Sequence, residues 1–154
     1  MDIRRISREK RDFLPLLLLG DEQEEMIGRY LERGELFALY DGGELRTVAV
    51  ITDEGGGVCE LKNLATWPKD QGRGYATALL EFLCKRYASR FHTMQLGTGD
   101  SPRTVPFYQK RGFVYSHRIP NFFTDHYDHP ILEDGVRLVD MVYFKRNLEM
   151  EVCL

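Results

Sequence analysis

The sequence predicts an α/β fold with a mixed, mostly antiparallel central sheet and helices on both faces. Three observations point to it. Three β-rich runs, ELFALYD, ELRTVAVITDE and VCELKNLATWP, follow one another between residues 35 and 68, divided only by Asp41-Gly42-Gly43 and by Gly55-Gly56-Gly57. A glycine segment containing Gly72 and Gly74 then opens a stretch whose apolar residues recur at helical spacing. Downstream, TMQLGTG, SPRTVPFYQKRGF and FVYSHRIPNFF succeed one another as strand, helix and strand, the order of a crossover connection.

Taken in order, residues 3–6 read as a short strand, and residues 9–19 and 21–33 as two helices. Asp21 suits the N-cap of the second, with Glu24 three positions on completing a pattern like a capping box. The three β-rich runs form the antiparallel first half. After the glycines, Tyr75, Leu79, Phe82, Leu83 and Tyr87 line one face of a helix of about 15 residues. TMQLGTG is a short strand. In the next helix Ser101 is placed to cap, Pro102 suits the first helical position and Gly112 suits the end. Pro106 would then remove an internal hydrogen bond, so that helix either begins at Thr104 or bends. FVYSHRIPNFF and VRLVDMVYFKRNL are two late strands joined by the loop TDHYDHPILEDG.

Composition narrows the function classes. The 154 residues read as one domain, 1–154, without repeat, linker or low-complexity segment. With 43% hydrophobic and 29% charged residues the chain is neither disordered nor collagen-like. Net charge is −3, and no basic run extends beyond IRRISREKR, which excludes nucleic acid as a main partner because phosphate binding needs concentrated positive charge. The small acidic excess fits either a cationic substrate or a solvated surface. Cys59, Cys84 and Cys153 are odd in number and form no CxxC, which argues against a disulfide scaffold or a structural zinc and fits a reducing cytoplasm. The N-terminus has no apolar signal region, and FLPLLLLG is too short to span a bilayer, so no membrane partner is expected.

The glycine segment carries the chemistry. A strand that turns into a helix presents several orphan N–H groups and the positive end of the helix dipole. Glycines there let an anion, typically a pyrophosphate, approach the backbone. A glycine-rich turn without a ligand is the alternative. A Walker loop needs Lys-Ser/Thr after its last glycine, and RGYATA has neither in that place. A Rossmann loop should follow the first strand, whereas this one follows the fourth.

QGRGYA resembles the Q/R-x-x-G-x-G/A loop of the GNAT-superfamily N-acetyltransferases, with Gln71, Gly74 and Ala76 in the defining places. LATWP resembles the end of that family's fourth strand, and FYQKRGF its second signature, a helix that runs through Tyr to Gly-Phe. The order and spacing of both agree, and the order of elements agrees along nearly the whole chain. NFFTDHYDHP…GVRLVDM is similar to the C-terminal part of a bacterial subgroup, which assigns no substrate. The resemblance implies the acyl-CoA N-acyltransferase fold and acetyl-CoA as co-substrate, with no metal. It places the backbone of Gln71, Gly72, Arg73, Gly74, Tyr75 and Ala76 around the pyrophosphate. Leu64 and Thr66 would pair with the pantetheine arm, and an amide near Leu64 or Ala65 would polarise the thioester carbonyl. Arg73 either meets a phosphate or faces solvent.

The implied reaction is direct attack of a primary amine on the thioester in a ternary complex. The acceptor is left open between a small molecule, an aminoglycoside-like molecule and a protein amine. A lysine-like amine costs about 4.6 kcal/mol to deprotonate at neutral pH, an α-amine only about 1. A general base is therefore needed more for the first. Glu60, on VCELKN, is the candidate base, against a plain solvent-facing Glu; Tyr108 stands where the family's tyrosine protonates the departing thiolate, against a packed core aromatic. In an unbroken strand Asn63 faces away from Glu60. Cys84, in an amphipathic helix with no partnered His, is not read as a nucleophile. HYDH, residues 126–129, reads as surface chemistry rather than a metal site. The loop 122–127 is a candidate wall of the amine site, where Asp125, Tyr127 and Asp128 either attract a cation or supply ordinary loop polarity. A non-catalytic acyl-CoA-binding module and a nicotinamide-dependent oxidoreductase are the competing readings. A homodimer through the late strands is compatible with the pattern.

Overall fold

A computed structural model describes residues 1–149; Cys153 lies outside them. Seven strands form one sheet: β1 (Asp2–Ile6), β2 (Glu35–Asp41), β3 (Glu44–Gly55), β4 (Val58–Thr66), β5 (Thr93–Gly99), β6 (Val114–Ile119) and β9 (Met141–Asn147). Their order is β1-β2-β3-β4-β5-β9-β6, and every pairing is antiparallel except β4 with β5. The last strand thus inserts between β5 and β6. Strands β7 (Leu132–Glu133) and β8 (Val136–Arg137) make a separate two-residue ribbon within the long late loop.

Period-2 alternation divides the sheet residues between two cores. Phe37, Leu39, Ala49, Ile51, Cys59 and Leu61 face α3 (Tyr75–Tyr87) and α4 (Thr104–Lys110), meeting Leu79, Leu83 and Phe113. Leu36, Ala38, Val48, Val50 and Ala65 face the other way, onto Leu16, Leu17, Ile27 and Leu31 of α1 (Leu14–Gly20), α2 (Glu24–Gly28) and the turns after it. A third, small cluster joins Phe123 of α5 (Phe122–His126) to Ile131 and Leu138. No helix among the described residues is long and apolar enough to cross a membrane.

The two N-terminal helices are much shorter than the sequence pattern suggests. Residues Lys10–Phe13 form a 3-10 turn before α1, and α2 stops at Gly28, where glycine's backbone entropy disfavours continuation. Asp21 is not the N-cap of α2. That position falls to Gln23, while Asp21 ends α1 in extended conformation and turns its carboxylate elsewhere. Pro106 costs little: α4 begins at Thr104 with Pro106 in its first turn, and although Val105 N–H reaches back to Ser101 O at 3.2 Å, the bond that Pro106 cannot make lies ahead of the helix and not inside it. Ser101 Oγ nevertheless accepts from the amides of Arg103 and Thr104, at 3.3 and 3.4 Å.

The irregularity that matters for the site lies in β4. Asn63 pairs with Val50 and Leu61 with Ile51, which leaves Lys62 as the extra residue of a β-bulge. The bulge cancels the alternation between Glu60 and Asn63. Both therefore lie on the side of the sheet opposite α3, within three residues of each other.

Candidate active site

Strands β4 and β5 pair from Val58↔Thr93 to Leu61↔Leu96 and no further, although β4 runs on to Thr66 and β5 to Gly99. The bulge at Lys62 falls where the two strands part. Beyond it the chain lines two cavities, one to each side of the opened wedge.

The first, about 620 Å³, is lined by Leu64 and Thr66 of β4, by Gln71, Gly72, Gly74, Ala76 and Thr77 at the start of α3, and by Phe107, Tyr108 and Arg111 of the α4 segment. Gly74 caps α3 at φ 86°, with no side chain bonding the first turn, and the first intrahelical bond is Ala78 N–H to Gly74 O at 3.0 Å. The amides ahead of it open onto the cavity with the positive end of a 13-residue helix behind them. A Cβ on Gly72 or Gly74 would meet nothing within 4 Å, so the space over this turn is clear. Asp70, buried beneath the loop, accepts from Arg46 at 2.8 Å and from Arg73 at 3.2 Å. Tyr75 OH donates to Asp41 Oδ2 at 2.6 Å, and these contacts fix the loop to β2 and β3. Across the cavity Arg111 donates to Thr77 Oγ1 from both Nε (3.2 Å) and Nη2 (3.0 Å).

The second cavity, about 310 Å³, lies on the β5 side. Its walls include Gly20 at the end of α1, Asp21 and Glu22 between α1 and α2, Lys62 and Asn63 of the bulge, Gly97 to Gly99 of β5, and Phe123, Tyr127 and Glu133 of the late loop. Leu64, Arg103, Thr104 and Tyr108 line both cavities, so the two spaces meet over Leu64 and Tyr108. Tyr108 packs edge-on between Phe107 and Phe113, with centroids 5.2 and 5.8 Å away. Burial, with the Glu133 carboxylate adding to it, pushes its phenol up, which keeps it protonated across the neutral range.

Residues 32–115 match the sequence family described as an acetyltransferase (GNAT) domain. Over 140 residues the chain is 35% identical to YvbK, an uncharacterised N-acetyltransferase of Bacillus subtilis, covering 89% of this chain and 90% of that one. The chain belongs to the GNAT acetyltransferase family. The fold agrees. It superposes at a TM-score of 0.90, with 30% identity, on a GNAT family acetyltransferase from Elizabethkingia anophelis with acetyl-CoA bound, covering 95% of this chain and 97% of that one. A Bacillus subtilis acetyltransferase in complex with CoA superposes at 0.87, also with 30% identity, covering 94% and 97%.

Within this GNAT frame the structure gathers most of the residues singled out from sequence. Leu64, Thr66, Gln71, Gly72, Gly74, Tyr75, Ala76 and Tyr108 all line the larger cavity. Arg73 instead lies half-exposed on Asp70 and over the Tyr75 ring, its guanidinium 5.2 Å from the centroid. The Ala65 side chain is buried against Leu16 and Leu17, which leaves only its backbone for the wedge. Glu60 lies outside both linings. Its carboxylate takes Lys62 Nζ at 2.8 Å, Gln95 Nε2 at 2.7 Å and Tyr143 OH at 3.3 Å, so that Lys62 stands between it and the smaller cavity. Of the late loop, Phe123 and Tyr127 reach that cavity while Asp125 and Asp128 do not.

Sequence reasoning passed over Thr77, Arg111 and Asp21 as site residues. The first two carry no motif of their own beyond their helices. Asp21 was hidden by a capping pattern that locally explains it. Among the described residues no three His, Cys, Asp or Glu side chains are grouped to hold a metal; His126 lies against Phe122, and His129 pairs with Asp128 and Glu22.

Proposed function

We propose that this enzyme transfers the acetyl group of acetyl-CoA to a primary amine by direct attack in a ternary complex. One observation carries the reading: two cavities, one built around an uncapped helix N-terminus, meet at Leu64 and Tyr108. Acetyl-CoA supplies the acyl group as a thioester. The open amides from Gly72 to Ala76, with Arg111 nearby, suit its pyrophosphate, and the edge of β4 at Leu64 and Thr66 suits the pantetheine arm. A backbone amide near Leu64 or Ala65 stabilises the carbonyl oxygen as charge develops there.

The amine enters through the smaller cavity. At about 310 Å³ it lies near the lower end of the range of roughly 300–1,000 Å³ typical of ligand pockets, which favours a small acceptor over an aminoglycoside-sized or protein one. As the new C–N bond forms and the C–S bond breaks, one proton leaves the nitrogen and one reaches the sulfur. Tyr108 donates to the sulfur, and its high phenol pKa makes it a hydrogen-bond donor throughout the neutral range. Glu60 receives the proton from nitrogen by way of water past Lys62. The cysteine usage fits work in a reducing cytoplasm. The edge strand β6, with Val114 and Tyr115 exposed, is the surface through which a homodimer would form.

Thermal melting with acetyl-CoA, CoA, ATP and NAD tests the donor. A ligand at about 100 times its Kd adds roughly 2.7 kcal/mol, a shift of several degrees. Stabilisation by acetyl-CoA and CoA alone, followed by amine-dependent thiol release, is expected. No shift with either sinks the reading.

A further inference from the structure

We infer that the acceptor carries two cationic groups, the amine that is acetylated and a second one held by the carboxylate of Asp21. The inference rests on the transfer reading above and names the substrate class for that same site. It begins with an imbalance of charge in the smaller cavity. Three carboxylates line it, Asp21, Glu22 and Glu133, and two cations, Lys62 and Arg103. Both cations are matched by acids outside the lining: Lys62 is on Glu60 at 2.8 Å, and Arg103 on Asp134 at 3.3 Å. Asp21 has no such match. Its two oxygens accept only from neutral donors, Tyr127 OH at 2.8 Å, Tyr30 OH at 3.3 Å and the Gln23 backbone N–H, and no cation among the described residues forms an ion pair with it. A largely desolvated carboxylate held by two phenols and facing a cavity is suited to an ammonium that arrives with the ligand.

A second, independent feature points the same way. Asn63 is 4% exposed, and its Nδ2 donates to Leu17 O at 3.0 Å and to Tyr30 OH at 3.1 Å. Its Oδ1 is buried at the cavity wall, under Gly20, with no hydrogen-bond partner. Natural proteins seldom leave a buried amide oxygen unmatched, and a small shift of the Gly20 turn that covers it would open this one to a donor-rich ligand. Asp21, Tyr30 and Asn63 form one chain of hydrogen bonds that ends on β4, next to Leu64 where the two cavities meet. The second cation therefore sits a short carbon chain away from the reacting nitrogen. A small diamine has this form; a monoamine fills the cavity and leaves Asp21 without a counter-ion.

The test compares matched acceptors with the intact enzyme: diaminobutane with n-butylamine, and diaminopentane with n-pentylamine, each followed by thiol release from acetyl-CoA. The expected result is a preference for the diamine of about tenfold or more in kcat/KM, expressed mainly in KM. Asp21→Asn should bring the ratio between diamine and monoamine to within about twofold, and Asp21→Glu should restore part of it, since the charge and not the shape makes the distinction. Tyr127→Phe removes a neutral donor and keeps the carboxylate, so the preference should persist and covers the case in which Asp21→Asn does not fold. Equal use of diamine and monoamine by the wild type, or a preference that survives Asp21→Asn, overturns the inference, as does failure of every amine in the panel while acetyl-CoA still raises the melting temperature. Absence of any stabilisation by acetyl-CoA would instead overturn the transfer reading itself.

Discussion

Tyr127 donates its phenolic hydrogen to the carboxylate of Asp21 at 2.8 Å, across 106 positions of sequence. This contact ties the late loop to the turn between α1 and α2 over the smaller cavity. It also gives Asp21 a place in the fold that its neighbours in sequence do not suggest.

Asp21 is held above its ordinary range, chiefly by burial, although bonds from Tyr127, from the Gln23 backbone and from Tyr30 pull the other way and Glu22 adds repulsion. A carboxyl whose folded pKa exceeds the unfolded value of 3.8 keeps a proton that the unfolded chain has lost. Stability therefore falls as pH rises from about that value through the folded pKa, and at neutral pH the ionised group is a net cost. Asp21→Asn should melt at the same or a higher temperature than the wild type at neutral pH, with the difference shrinking below the unfolded pKa. A lower melting temperature at neutral pH would show that the carboxylate is retained for structure rather than for a ligand.

Tyr108→Phe keeps the ring between Phe107 and Phe113 and removes only the hydroxyl. Loss of a general acid typically costs about 10²–10⁴ in rate. We expect kcat to fall by that order while the melting shift with acetyl-CoA stays. Unchanged turnover would return Tyr108 to a purely packing role.

Glu60→Gln should likewise lower kcat, and the loss should lessen as pH rises and more of the amine is neutral in solution. A deficit independent of pH would remove Glu60 from proton transfer. The amide oxygen can still accept from Gln95, but the NH2 in place of Oε2 no longer accepts from Tyr143 or pairs with Lys62, so the melting temperature is measured beside kcat to separate folding from chemistry.

Gly74 stands at φ 86° as the N-cap of α3. Open space surrounds its Cα, so Gly74→Ala has room for a methyl but strains the backbone by roughly 1–2 kcal/mol. The expected outcome is a lower melting temperature together with a weaker shift on adding acetyl-CoA. A normal shift would mean that the turn's path does not matter for donor binding.

Gly20 is needed for a different reason. A Cβ there would lie 2.2 Å from Asn63 Oδ1, so Gly20→Ala must displace the amide. Kinetics should show a raised KM for the amine and an unchanged KM for acetyl-CoA. Equal effects on both substrates would place the damage in the fold as a whole.

The sequence by itself determined the sheet's antiparallel first half, the glycine turn into α3 and the aromatic helix carrying Tyr108. Each is a local matter: alternation, a positive φ that needs glycine, a helix closed by Gly112 at φ 85°. The family motifs lie in the same stretches, because the phosphate site proposed there is built from backbone, and backbone path is written in short-range residue choice. The acceptor side was decided only by tertiary structure. One extra residue at Lys62 brings Glu60 and Asn63 to the same side of β4, against their spacing. Asp21 left its expected capping role because Tyr30 and Tyr127 offered its carboxylate hydroxyls at a distance no local pattern encodes. The short helices α1 and α2 are a different case: they end on Gly20 and Gly28, local stops that the apolar spacing across residues 9–33 had masked. A cavity assembled from five separated segments leaves no periodicity to read, since its residues become neighbours only when the sheet and the late loop close over them.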